Sequence, residues 1–97
     1  MNLDRVVDAA PARRMLRHLA AQGFHAAFVA DRIGMARNGV IAIRSGTRAT
    51  VHPYTARTIA RLHAELHNAD PVAYGITPRS AKRTRSLPRR RGWTAAA

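Results

Sequence analysis

Arg37 and Asn38 stand side by side in the run ARNGVIAIRS, and each ends in a flat group with paired hydrogen-bonding atoms. A guanidinium can donate twice to the O6 and N7 of guanine, and a carboxamide can pair with the N6 and N7 of adenine. Ile41 and Ala42, one helical turn on, suit apolar contact with a thymine methyl. With Ala36 in front, these five residues form the candidate base-reading set. Around them lie groups suited to phosphate oxygens: Arg44, Ser45, Thr47, Arg48, Thr50, His52 and Tyr54. A second basic set comes after Asp70, the last acid of the chain: Arg79, Lys82, Arg83, Arg85, Arg89, Arg90 and Arg91. Such a run repels itself when free but suits a phosphate backbone. Its end, Pro88 to Gly92, also has the make-up of an arm that enters a narrow minor groove.

Other chemistries find little to work with. His63 and His67 are four apart on one predicted helix, a spacing that can place two imidazoles on one metal, but no further ligand accompanies them. A surface histidine pair is the better reading, and neither a metal nor a cofactor is expected. The five acids are scattered, there is no cysteine nucleophile, and no glycine-rich phosphate loop occurs, so the chain does not read as an enzyme.

The elements that must position these groups follow from spacing. Val29 and Ile33, four apart, share one face of a helix predicted over 26–33. Val40 and Ile43 continue the apolar set on a second helix over 37–45, with Met35 between the two. Ala30 falls where the two helices come closest and only a small side chain fits. Gly34 makes the turn, where positive φ is expected, and Gly46 ends the second helix. A leading helix begins at Asp8 or Ala10, takes Pro11 in its first turn, carries Met15, Leu16 and Leu19 inward and stops at Gly23. A fourth begins at Pro53 or Tyr54 and runs to about His67, with Ile59, Leu62 and Leu66 closing the core. Residues 47–52 read as a loop with Val51 turned inward, and 70–74 as a turn or short helical piece ended by Gly75. Thr77-Pro78 opens a short helix over 78–87, and Pro88 argues against its continuation. The fold class is therefore all-α: a compact bundle of four to five short helices with a basic C-terminal extension. The organisation is a frayed or loosely docked lead over 1–7, a helix-turn-helix domain over 8–69 and a basic segment over 70–97.

The stretches PARRMLRHLAAQG, VADRIGMARNGVIAIRSG and HPYTARTIARL, in that order, resemble the small helix-turn-helix proteins of actinobacteria and their phages, with a lambda-repressor-like (Cro/C1-type) fold. The resemblance spans residues 11–66, a little over half the chain. It implies sequence-specific binding of double-stranded DNA, with the helix near Arg37 in the major groove, and repression of transcription. Three positions depart from the pattern. Ala36 stands where a Ser or Thr caps the recognition helix, and alanine has no oxygen to do so. Gly39 lies inside that helix at a cost of about 1 kcal/mol relative to alanine. Phe28 occupies a place where a polar residue is usual. Together they predict a recognition helix that is loosely formed or tightened on binding.

Composition agrees with this reading. Ninety-seven residues with a formal charge of +12 make one compact domain at most, plus tails, and point to a polyanionic partner. Lys82 is the only lysine; the arginine excess suits phosphate and guanine, and it equally reflects a GC-rich coding genome. No apolar run approaches the roughly 20 residues that cross a bilayer, and the start has no signal-peptide core, so a cytoplasmic, nucleoid-associated protein without membrane contact is expected. Three alternatives stand beside a regulator: a non-specific nucleic-acid binder driven by the tail, an antitoxin-like regulator, and a helical adaptor. The adaptor would meet RNA polymerase or another protein through an exposed Phe28 and Ile41. A homodimer through Tyr74, Leu87 and Trp93 and a monomer with a reading arm both remain open. RRRGWTAAA is similar to the opening of a second helix-turn-helix, so a piece of a longer protein and a complete chain with a basic tail also both stand.

Overall fold

Pro11 sits in the first turn of the leading helix, where its missing N–H costs no hydrogen bond. The Asp8 carboxylate accepts from the Ala10 amide at 2.9 Å just before it. The computed structural model describes residues 5–93, and there this helix, α1, spans Ala10–Gln22. It is followed by α2 (Ala26–Ile33), α3 (Arg37–Ser45), α4 (Pro53–Leu66), a 3-10 helix (Pro71–Tyr74), α5 (Pro78–Arg85) and α6 (Leu87–Arg91). The all-α bundle expected from the periodicity is the one that forms.

α1 is the hub, packing against α3, α4, α5 and α6. Leu16 and Leu19 from α1, Phe24, Val40 and Ile43 from α3, and Ile59 and Leu66 from α4 are all essentially sealed from solvent. Ile76 and Ala81 belong to the same core, so the stretch after Asp70 is built onto the bundle. Gly23 ends α1 with φ +108°, and a Cβ there would stand 3.1 Å from Pro71 Cγ and 3.2 Å from Ala81 Cβ. The position is restricted twice, by its dihedral and by the 3-10 helix and α5 closing over it.

The structure corrects several expectations. The end of the lead is docked rather than frayed: Val7–Asp8 (β1) pairs antiparallel with Thr50–Val51 (β2), Val7 opposite Val51. The β2 bridge lies in the stretch read as a loop, and Val51 is buried as expected. The helix after Thr77 ends at Arg85 rather than at 87, and residues 86–93 do not form a free tail. Leu87–Arg91 forms α6, with Pro88 in its first turn, a place where proline starts a helix rather than stops one. Phe28 is not exposed. Its ring packs 5.3 Å from Phe24 and 6.1 Å from Tyr74, and the Arg32 guanidinium lies 4.9 Å above it. Residues 1–4 and 94–97 lie outside the described residues, and with them the start of the lead and the last four residues of the RRRGWTAAA stretch.

His63 on α4 and His67 just past its end have a third neighbour. His18 Nδ1 and His63 Nε2 share a hydrogen bond of 2.8 Å across the α1–α4 contact, and His67 lies 6.3 Å from His63 between ring centres. Among the described residues no group of three or more candidate ligands is placed to hold a metal. Burial first, then His18 and His67, hold the His63 pKa below its ordinary 6.5. The folded state thus favours neutral His63 and the unfolded chain takes up the proton more readily. The contribution to stability is full above about pH 6.5 and is lost as pH falls from there through the lower folded pKa. Thermal melts should show Tm falling between about pH 7.5 and about pH 5, with a shallower fall in His63→Asn. A variant that tracks the wild type across that range would mean that His63 does not carry the effect.

Candidate nucleic-acid interface

The α2–turn–α3 unit is set by short-range chemistry. The His25 ring accepts from the Phe28 amide at 3.1 Å and caps α2 at its start. Gly34 closes α2 at φ +69°, and the Met35 amide donates back to the Ala30 carbonyl at 2.9 Å. Ala30 is buried at the crossing, as its size requires. Val40 and Ile43 turn the inner side of α3 into the core.

The far end of α3 is held in a way that periodicity does not reveal. Arg13 donates through Nε to the Ile43 carbonyl at 3.0 Å and through Nη2 to the Arg48 carbonyl at 2.9 Å. Arg17 donates through Nε to the Arg44 carbonyl at 2.9 Å. Two cations thus satisfy carbonyls at and beyond the C-terminal turn, where the helix dipole also favours positive charge. This compensates for the start of α3, where Ala36 offers no capping side chain. α3 is continuous from Arg37 to Ser45, with Gly39 inside it.

Of the base-reading set, Ala36, Arg37 and Asn38 are exposed, while Ile41 and Ala42 are half-buried. With 3.6 residues per turn, Asn38 and Ser45 lie opposite the buried Val40 and Ile43, and Arg37 and Arg44 lie to one side. Ile41, expected to be exposed as an adaptor contact, packs against the edge of the core and lines a small hollow with Arg44, Ser45, Arg91 and Trp93.

The phosphate set divides between two flanks. On one, Arg48, Thr50 and His52 line an open cleft with Val6, Val51 and Thr55. The Ser45 and Thr47 hydroxyls hydrogen-bond to each other at 3.0 Å, and Tyr54 is 69% exposed at the start of α4. On the other flank, a cleft of about 280 Å³ is lined by the start of α2 (His25, Ala26 and Ala27), by α3 and by the α5–α6 pair. Arg37 and Arg44 stand on one wall, Arg83 and Arg90 on the other. Arg44 is half-buried, its guanidinium 5.5 Å from the centre of the Trp93 ring, which Arg17 approaches at 4.8 Å. Burial first, then Arg91 and Arg37, push the Arg44 pKa down.

The remaining basic residues are not gathered there. Arg79, Lys82 and Arg89 are exposed, and Lys82 falls on the side of α5 away from Ser80, Arg83 and Thr84. Arg85 donates to the Gln22 carbonyl at 3.4 Å and so serves the end of α1. Tyr74, Leu87 and Trp93, considered as dimer contacts, are each half-buried against their own chain. Among the described residues no helix is long and apolar enough to cross a membrane.

No family model matches the chain, and no curated protein or solved structure matches it either.

Proposed function

We propose that this chain is a sequence-specific double-stranded DNA-binding protein of the lambda-repressor-like kind, acting at the nucleoid as a transcriptional regulator, most simply a repressor. The observation that carries the reading is the uncovered N-terminal end of α3. Arg37 and Asn38 are exposed there, on a helix fixed to the body by Val40, Ile43 and two arginine caps. A helix presented in this way inserts its first residues between the strands of a duplex, where guanidinium and carboxamide groups meet base edges. Basic clefts on both flanks supply phosphate contacts that set its register.

Selection from a random duplex library with the full chain should enrich one short motif. Affinity for that motif should fall steeply with salt, with a slope near −0.9 per phosphate engaged. Strong binding with no enriched motif would refute sequence reading and make the protein a non-specific nucleic-acid binder. A footprint on the motif then reads the stoichiometry: two symmetric half-sites one helical turn apart mean a dimer, and a single asymmetric site means a monomer.

A further inference from the structure

Four arginines line the cleft, Arg37 and Arg44 from α3 and Arg83 and Arg90 from α5 and α6, beside His25 at the start of α2. Among the described residues no carboxylate lines it. Four like charges around one hollow repel each other, and a multivalent anion removes that repulsion. Both walls are anchored to α1, so the cleft exists before any ligand arrives. α3 is tied by Arg13 and Arg17, and α5 is seated through buried Ala81 and Thr84. Its volume, about 280 Å³, lies below the 300–1,000 Å³ usual for drug-sized ligands, and its lining is cationic, which favours a compact anion over a large organic molecule. Guanidinium forks match the oxygens of a phosphate, and the nearby Ser80 adds a hydroxyl.

We propose that this cleft is a phosphate-binding seat that gathers the phosphate groups of a DNA strand, or of a free oligophosphate, between Arg37 and Arg44 on one wall and Arg83 and Arg90 on the other. Arg37 then belongs to both the seat and the reading helix, so the occupant of the cleft bears on the grip of α3. The DNA source rests on the function proposed above; the seat itself does not.

The test compares Arg83→Gln/Arg90→Gln with Arg57→Gln/Arg61→Gln, which removes the same charge from exposed positions on α4. Circular dichroism confirms that both fold. Titration with inorganic pyrophosphate should show binding by the wild type, by the α4 variant within about twofold, and at least about tenfold more weakly by the cleft variant. Duplex binding with and without pyrophosphate then separates the sources. Competition, or a loss of DNA affinity confined to the cleft variant, assigns the seat to the strand. Pyrophosphate binding through the cleft with DNA affinity untouched assigns it to a free anion. Equal losses in the two variants, or no pyrophosphate binding together with unchanged DNA affinity in the cleft variant, overturn the seat. Pyrophosphate binding through the cleft by a chain that selects no DNA motif overturns the reading of α3 and leaves the seat in place.

Discussion

Exchanging Arg37 and Asn38 together for alanine is expected to erase the choice among duplex sequences while leaving the fold intact. Both side chains are exposed, and neither makes a side-chain hydrogen bond among the described residues, so their loss removes nothing from the core. A good bidentate contact to a base discriminates by about 1–3 kcal/mol, and two together correspond to about 30-fold to about 20,000-fold in affinity for the selected motif. Affinity for arbitrary duplex should fall far less, because phosphate contacts on the flanks persist. The single variants separate the roles. Asn38→Ala relaxes preference at one base and leaves the salt slope alone. Arg37→Ala also lowers the slope, by about 1, because its guanidinium lines the cleft as well. A double variant that keeps both motif preference and affinity would sink the assignment of α3 as the reading helix.

The largest effect on stability is expected from Phe24→Ala. Phe24 is 1% exposed and joins three elements. Its amide donates to the Leu19 carbonyl at the end of α1, and its ring meets Phe28 on α2 and Tyr74 on the 3-10 helix at 5.3 Å and 5.9 Å. Truncating a buried phenylalanine costs about 3–5 kcal/mol, the lost burial plus the cavity left behind. Small domains hold about 5–15 kcal/mol in all, so the variant is left near the edge of folding. At roughly 4–8 °C per kcal/mol for a chain of this size, Tm should drop by about 12–40 °C. A drop of only a few degrees would mean that the three rings do not form a single packed unit.

The local parts of this architecture are written in nearby residues. Gly34, Ala30 and the 3.6-residue spacing of Val29, Ile33, Val40 and Ile43 place α2 and α3 at the ends they are found to have. Pro53 starts α4 for the same local reason that Pro11 starts α1. The features that escape are long-range. Arg13 and Arg17 point away from the apolar stripe of α1 and look like solvated charge, yet their partners are carbonyls about thirty residues further along. Phe28 reads as an exposed anomaly until Tyr74 is folded against it. His18 gives no sign of His63, 45 residues away. The two-residue β1–β2 bridge is too short to leave an alternating pattern. For the candidate site, residue types are legible one at a time. The gathering of Arg37, Arg44, Arg83 and Arg90 around one hollow is not, because it depends on how α5 and α6 lie along α1.

Trp93, approached by the guanidiniums of Arg17 and Arg44, is the sole indole of the chain. Its near-ultraviolet emission therefore originates at one known place, on the margin of the helix that carries Arg37 and Asn38. The molecule comes with its own fluorophore, and a change in colour or intensity on adding a duplex or an anion reports from that margin without any dye attached.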